Sequence, residues 1–384
     1  MHTYDIIIVG AGAAGLLLAD ALGRDPYFST YSVLLLEKES KKANDRTWCF
    51  WEKGSGSFDT LLHASWKQLH FKGSSFSARF PISPYSYKML RASDFYKAYH
   101  KRISGYANVT IQQGMATGFR EEGGKAVIDT ETGAYSCTYL FNSAFSWDEL
   151  LTTANLPVLQ QHFKGWFVRT QKPVFDLQVP TFMDFSIPQH GNTRFMYLLP
   201  FSETEALVEY TLFSKDLLEN REYEAALNQY MKEDLKCSHF EILQQERGRI
   251  PMTCHDFGAK NTDHIVHIGA AGGWAKPSTG YTFMNTHRKT AALLTHLKSG
   301  KPLSQFSQRS RFWWYDLLLL DILDKDNIRG GEIFEALFSR RKVQLILKFL
   351  DEQTSFSEDI RVIWACPKWD FLQALRRRLF KGFR

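Results

Sequence analysis

Gly10, Gly12 and Gly15, with Ala13 and Ala14 inside the run, are the residues whose spacing most plainly implies chemistry. They follow an apolar stretch at 4–9 that reads as a buried strand, and they open a helix-like apolar run at 16–22. Strand, glycine turn and helix in that order make a seat for phosphates. Gly10 permits the tight turn, Gly12 lets the backbone approach a pyrophosphate, and Gly15 lets helix and strand pack closely. The N–H groups at the helix start then face the anion. A second strand at 33–36 ends in Glu37, 22 residues beyond Gly15, where a carboxylate accepts hydrogen bonds from an adenosine ribose. Lys38 follows it beside the same nucleotide. The spacing predicts a dinucleotide-binding unit.

A second glycine cluster runs from Gly269 through Gly272 and Gly273 to Thr279 and Gly280, after a buried-strand pattern at 264–268. Glycines there let backbone N–H groups approach an anion or a flat ring. Met115 follows a short strand at 109–111, where a strand-end loop meets an adenine. Glu209 lies in a strand pattern two strides from Glu205, which is also what a solvent-facing strand shows. Asp184, in Met183-Asp184-Phe185, reads equally as a turn residue.

The elements that hold these residues alternate along the 384-residue chain. Residues 44–90 read as loop-rich and aromatic, 93–104 as a helix, and 125–142 as a hairpin. Strand candidates at 163–170, 181–186, 193–200 and 205–213 suit a separate, mostly antiparallel sheet. Residues 218–246 read as helical, and so does most of the chain from 283 onward. The nucleotide domain is therefore discontinuous: 1–60, 93–160 and 255–300. The sheet domain takes 61–92 and 161–254, and 301–384 forms a helical C-terminal region.

Three ordered segments carry a family likeness. Residues 44–51 read Asn-Asp-Arg-Thr-Trp-Cys-Phe-Trp; 195–201 are followed by Leu207-Val208-Glu209-Tyr210-Thr211; and 272–281 contain Pro277-Ser278-Thr279-Gly280-Tyr281. Together they make the chain resemble the lycopene β-cyclases, flavin-dependent enzymes that close the end rings of carotenoids. The Gly-Asp and Asp-Gly dipeptides used by flavin hydroxylases are absent from the sequence, as is the halogenase W-x-W-x-I-P segment.

The resemblance implies an α/β fold, with a Rossmann-type FAD-binding domain and an inserted antiparallel substrate domain, p-hydroxybenzoate-hydroxylase-like. It implies lycopene as substrate, reduced FAD as cofactor and NAD(P)H as reductant. Glu209 becomes the acid that protonates the alkene, Asp184 a residue that orients water or Glu209, and Arg46 a contact to flavin phosphate or ring. Trp48, Trp51, Trp166 and Trp274 are candidates for stabilising the cation. Tyr210 stands where many members have a second acid, so Glu209 is expected to act without that neighbour. Lys276 replaces a common His, which alters flavin contacts. Two other readings compete: an FAD-dependent monooxygenase or reductase acting on an isoprenoid lipid, and a non-catalytic lipid-binding flavoprotein.

Composition narrows the setting. Thirty Phe, 16 Tyr and 10 Trp suffice to line a large apolar cavity with ring faces. Five cysteines without C-x-x-C spacing argue against a disulfide framework or a metal site and suit a reducing cytosol. The net charge of +6 is modest, and no nucleic-acid module is recognisable. No apolar run approaches the ~18 residues of a bilayer span. The last 14 residues, 371–384, carry five positive charges and no acid, with Leu372, Leu375, Leu379 and Phe383 at helical spacing. That pattern suits an amphipathic helix lying on anionic lipid. The expected location is cytoplasmic, peripheral on the inner face of the cytoplasmic membrane.

Overall fold

Ile6, Ile7 and Ile8 are wholly buried on the strand His2–Val9, as a strand covered on both faces must be. The computed structural model describes residues 2–39, 44–306 and 309–381. His2–Val9 lies parallel between Val33–Glu37 and Gly133–Asn142. Val109–Gln113 extends the sheet on one side. Ile265–His267 pairs with Gly133–Asn142 in parallel, and the antiparallel strands Lys125–Thr130 and Ala116–Glu122 complete it. The helix Ala13–Arg24, apolar over most of its length, packs against Phe283–Lys298 and Ala92–Ile103. These elements belong to the first of two units, made of residues 1–44, 92–156 and 254–310.

The second unit comprises 45–91, 157–253 and 311–384. Its large sheet runs in the order Phe240–Thr253, Val158–Thr170, Glu205–Ser214, Thr193–Pro200, Thr181–Asp184, Gln68–Lys72 and Ser77–Pro81. All neighbours are antiparallel except Thr181–Asp184 with Gln68–Lys72. A smaller sheet joins Thr47–Lys53, Tyr85–Arg91 and Leu62–Trp66. Among the described residues, five C-terminal helices belong to the same unit. Two of their rings close the core: Phe338 stacks on Phe71 at 4.3 Å and Phe334 on Phe185 at 5.5 Å.

Three sequence expectations change here. Residues 45–60 fall with the second unit, because Thr47–Lys53 pairs with Tyr85–Arg91 along its whole length. The segment 44–90, read as loop-rich, holds five strands. The third change matters most. Of the stretch 218–246, only Asn220–Gln229 is α-helix, continued by one π-helical turn, Tyr230–Asp234. The chain then reverses into the 14-residue strand Phe240–Thr253. Glu241, Gln244, Gln245 and Glu246 in its first half favour a helix locally, but pairing with Val158–Thr170 outweighs that preference. Pro251 fits because this strand is the sheet edge, where a missing N–H costs no ladder bond.

Candidate active site

In the first unit the glycine loop has the geometry of a phosphate seat. Gly10 has φ of 94°, and a Cβ there would lie 2.3 Å from Ser143 Oγ. A Cβ on Gly15 would lie 1.9 Å from the Gly10 carbonyl oxygen, so helix and strand touch at this point. Gly12 differs, because a Cβ added to it would meet no atom within 4 Å. It is also the N-cap of Ala13–Arg24, which has no side-chain cap and no acid in its first turn. The N–H groups of Ala13, Ala14 and Gly15, without intrahelical acceptors, therefore border open space.

Glu37 is buried at the foot of the loop. Its carboxylate accepts the Ala11 N–H at 2.5 Å and the Glu39 N–H at 3.1 Å. The Gly114 N–H donates to the Glu37 carbonyl at 2.9 Å, which sets the exposed Met115 beside the end of this strand. Gly269, with φ of 61°, brings the second cluster back onto the first: its Cβ would lie 2.8 Å from the Ala14 Cβ. Gly272, Gly273, Thr279 and Gly280 continue that loop, and Thr279 Oγ1 is buried with no hydrogen-bond partner among the described residues. An open cradle, bare helix N–H groups and an orphaned hydroxyl fit a dinucleotide. Lys38 is exposed and 3.3 Å from Glu39. Arg46, also exposed, lies in the second unit, 3.8 Å from Asp45.

The second unit places two carboxyls together. Gly165, on the middle of three strands, is directly paired with both Glu209 and Glu246. Paired residues of antiparallel strands project to one face, and their backbones here are two strand spacings apart, roughly 9.6 Å. With no side chain at 165, the glutamates lean toward each other across bare backbone. A Cβ there would lie 3.5 Å from Glu209 Cβ and 3.2 Å from Glu246 Cγ. The carboxyls come within hydrogen-bonding reach of one another. Glu209 is 8% exposed and Glu246 5%. Thr211 Oγ1 donates to Glu209 Oε1 at 2.7 Å, and Thr47 Oγ1 donates to Glu246 Oε2 at 2.7 Å.

Burial, then the Glu246 charge, pushes the Glu209 carboxyl well above the usual carboxylate range. Burial also pushes Glu246 up to about 7, against the Thr47 hydroxyl and the Arg91 charge, which favour its ionised form. The Cys49 thiol sits beside the pair, held protonated chiefly by burial and further by both glutamates. Arg91 donates to Gln244 Oε1 at 2.6 Å, with its guanidinium 5.1 Å from the Phe167 ring centre. Tyr197, paired with Glu209, shares its face, and Phe182 meets the rings of Tyr197, Tyr87 and Trp51 edge-on at 5.4–6.2 Å.

Asp184 does not join this group. It pairs with Met196, which pairs with Tyr210, so it belongs to the opposite sheet face from Glu209. There its carboxylate takes an ion pair from Lys72 at 3.0 Å, the Tyr230 hydroxyl at 2.9 Å, and the Ser186 N–H and hydroxyl. Trp166, one residue from Gly165, packs on that far face too, in a core with Tyr210. Trp274 belongs to the first unit. Tyr210 is no second acid and packs on the far face with Trp166, and the carboxylate neighbour of Glu209 is instead Glu246, from a strand that reads as helix. A glycine inside a strand pattern was the available signal, since it marks a close approach.

The glycine-loop unit and the sheet carrying the glutamate pair define a chain of the flavoprotein fold. The solved structures it resembles include a geranylgeranyl bacteriochlorophyll reductase-like protein from Thermoplasma acidophilum. That match is 14% identical with a TM-score of 0.58, covering 98% of this chain and 96% of the other. A flavin-dependent brominase is 15% identical, covering 99% and 100%, with a TM-score of 0.58. The model of the family described as lycopene cyclase protein matches residues 5–376, and the chain belongs to that family of enzymes. The lycopene beta-cyclase of Paracoccus sp. is 26% identical over 73% of this chain and 70% of its own length. That of Pseudescherichia vulneris is 24% identical over 72% and 70%.

Proposed function

We propose that this enzyme is a lycopene β-cyclase that isomerises lycopene to γ- and β-carotene in carotenoid biosynthesis, with no net redox change. The observation that carries this reading is the buried Glu209 carboxyl in a chain of the lycopene cyclase family. Protonating an unactivated alkene needs an acid that keeps its proton at neutral pH, and burial beside a second carboxyl provides that. Glu209 gives a proton to a terminal double bond of the acyclic end. The next double bond attacks the cation, a ring C–C bond forms, and loss of a different proton leaves the β ring. Atoms balance, so no oxidant or reductant is consumed. Rings such as Tyr197 on the Glu209 face suit a cationic intermediate, each contributing about 0.5–2 kcal/mol when desolvated.

FAD fits the first unit: Gly10, Gly12, Ala13, Ala14 and Gly15 would hold its pyrophosphate, and Glu37 its ribose. Met115 would border the adenine, and the loop from Gly269 to Gly280 the ring system. Reduced FAD bound there would supply fixed negative charge to the cation, with NAD(P)H maintaining reduction. Glu37 orders the loop through the Ala11 N–H.

A peripheral membrane site suits a substrate that dissolves only in lipid. Among the described residues no helix is long and apolar enough to cross a membrane. Trp364, Trp369, Leu372, Leu375, Leu379 and Phe380 are exposed on and just before the helix Lys368–Lys381, Trp369 by 70% and Phe380 by 79%. Lys368 covers Trp364 at 3.9 Å, and Arg376 and Arg377 lie on the same helix. This apolar and basic surface supports attachment to anionic headgroups on the cytoplasmic side. Phe383, the last apolar residue of the sequence pattern, lies outside the described residues.

Expression in a lycopene-accumulating host, with chromatography of the pigments, tests the activity. The expected result is conversion to γ- or β-carotene; unchanged lycopene beside abundant flavin-loaded protein would refute it. Substrate-dependent, stoichiometric NAD(P)H consumption would point to a monooxygenase or reductase.

A further inference from the structure

We propose that Glu246 is a positioning carboxylate, ionised in the resting enzyme, whose charge across Gly165 keeps the reactive proton on Glu209. The inference rests on the reading of Glu209 as the acid and adds what sets its protonation. Gly165 alone separates the two side chains, and its missing Cβ lets two strands that are not neighbours share one carboxyl pair. Two buried carboxyls this close cannot both ionise, so one proton stays between them.

The surroundings decide which residue holds it. Glu246 Oε2 takes the Thr47 hydroxyl, and the Arg91 guanidinium acts on the same carboxylate. Both stabilise its charge. Glu246 Oε1 is buried and has no donor among the described residues, so a proton carried by Glu209 satisfies it. Among the described residues, the hydroxyl that Glu209 accepts is that of Thr211 on its own strand. Other groups near the pair among the described residues are Cys49, which is hydrogen-bonded to Tyr87, Tyr197 on the Glu209 face, and Asp45. Cys49 stays protonated and adds no charge. Asp45 opposes ionisation of Glu246, by less than Thr47 and Arg91 favour it.

The sign follows directly. A negative Glu246 disfavours a negative Glu209, so removing that charge lets Glu209 lose its proton at lower pH. The experiment compares full-length, flavin-loaded wild type with Glu246→Gln, Glu246→Asp and Glu209→Gln, using lycopene in liposomes across pH. Glu246→Gln is expected to keep most activity on the acidic side. Its alkaline limb should move down by one to two pH units, which is about 10- to 100-fold in rate above that limb. Glu246→Asp keeps the charge and should restore most of the wild-type profile. Infrared titration of the protonated carboxyl C=O stretch gives a readout independent of turnover. That band should be lost in Glu209→Gln and should titrate away at lower pH in Glu246→Gln than in wild type. An unmoved limb and band in Glu246→Gln, or equal loss at every pH with flavin retained, would overturn the role of Glu246. Full activity of Glu209→Gln would instead remove the acid assignment itself, whatever Glu246 does.

Discussion

Replacing Gly12 by Ala should reverse the order of melting temperatures between apo and cofactor-saturated protein. The backbone at Gly12 is extended, with φ of −75° and ψ of −170°, a conformation any residue adopts. A methyl group there meets no protein atom within 4 Å, so the apo fold bears no steric cost. Fewer unfolded conformations then favour the variant by ~0.4–1 kcal/mol. The same methyl fills the space in front of the N–H groups at the helix start, where a pyrophosphate would approach. Wild type at 100 times Kd of FAD gains about 2.7 kcal/mol, and the variant should forgo most of it. Gly12→Ala should therefore melt slightly higher than wild type without FAD and about 1–2 kcal/mol less stably with it.

Gly15→Ala is the internal control, because its Cβ would sit 1.9 Å from a backbone oxygen and must lower stability in both states. Differential scanning fluorimetry, with a flavin-fluorescence titration for affinity, reads all of this. Wild-type FAD affinity in Gly12→Ala would refute the assignment of the open space over Gly12 to the pyrophosphate.

Four further outcomes follow from the second unit. Glu209→Gln should bind flavin normally and produce no cyclic carotenoid by chromatography. Asp184→Asn removes a wholly buried charge paired with the part-exposed Lys72 and should destabilise by ~1–3 kcal/mol in urea melts without moving the pH limb of surviving activity. Serines at Trp369, Leu372 and Leu379 should abolish flotation with anionic liposomes at unchanged melting temperature, because those side chains are exposed. The carboxyl pair also predicts a pH dependence of folding. Both glutamates bind protons more tightly when folded than when unfolded, so stability should fall as pH rises from the ordinary carboxylate range toward neutrality. The double variant with Gln at 209 and 246 should flatten that slope in denaturant titrations between pH 5 and 8.

Much of the first unit was legible because its signals are local. The apolar strand before Gly10, the turn itself and the distance to Glu37 all lie within the first 37 residues, where sequence spacing fixes spatial spacing. The second unit was legible only in part. Its strands at 193–200 and 205–213 alternate well enough to be read, but the helical reading of 218–246 hid the strand that carries Glu246. Local propensity in Gln244-Gln245-Glu246-Arg247 favours a helix, and no short-range feature reports the partner strand about 80 residues earlier. Asp184 failed for the opposite reason: its position near Glu209 in the sheet was right, and its face was wrong. A single-residue change of register reverses a side chain's face, and a bulge between Thr181 and Asp184 puts that parity beyond sequence reading.

By itself, then, the sequence determined the glycine loop, the ribose-side carboxylate and Glu209 as a carboxyl in a sheet, since each depends on neighbours a few residues away. Only the tertiary structure decided that Gly165 brings Glu246 against Glu209. Strand order and register place those three residues in line, and the missing Cβ lets two distant carboxyls share one buried proton.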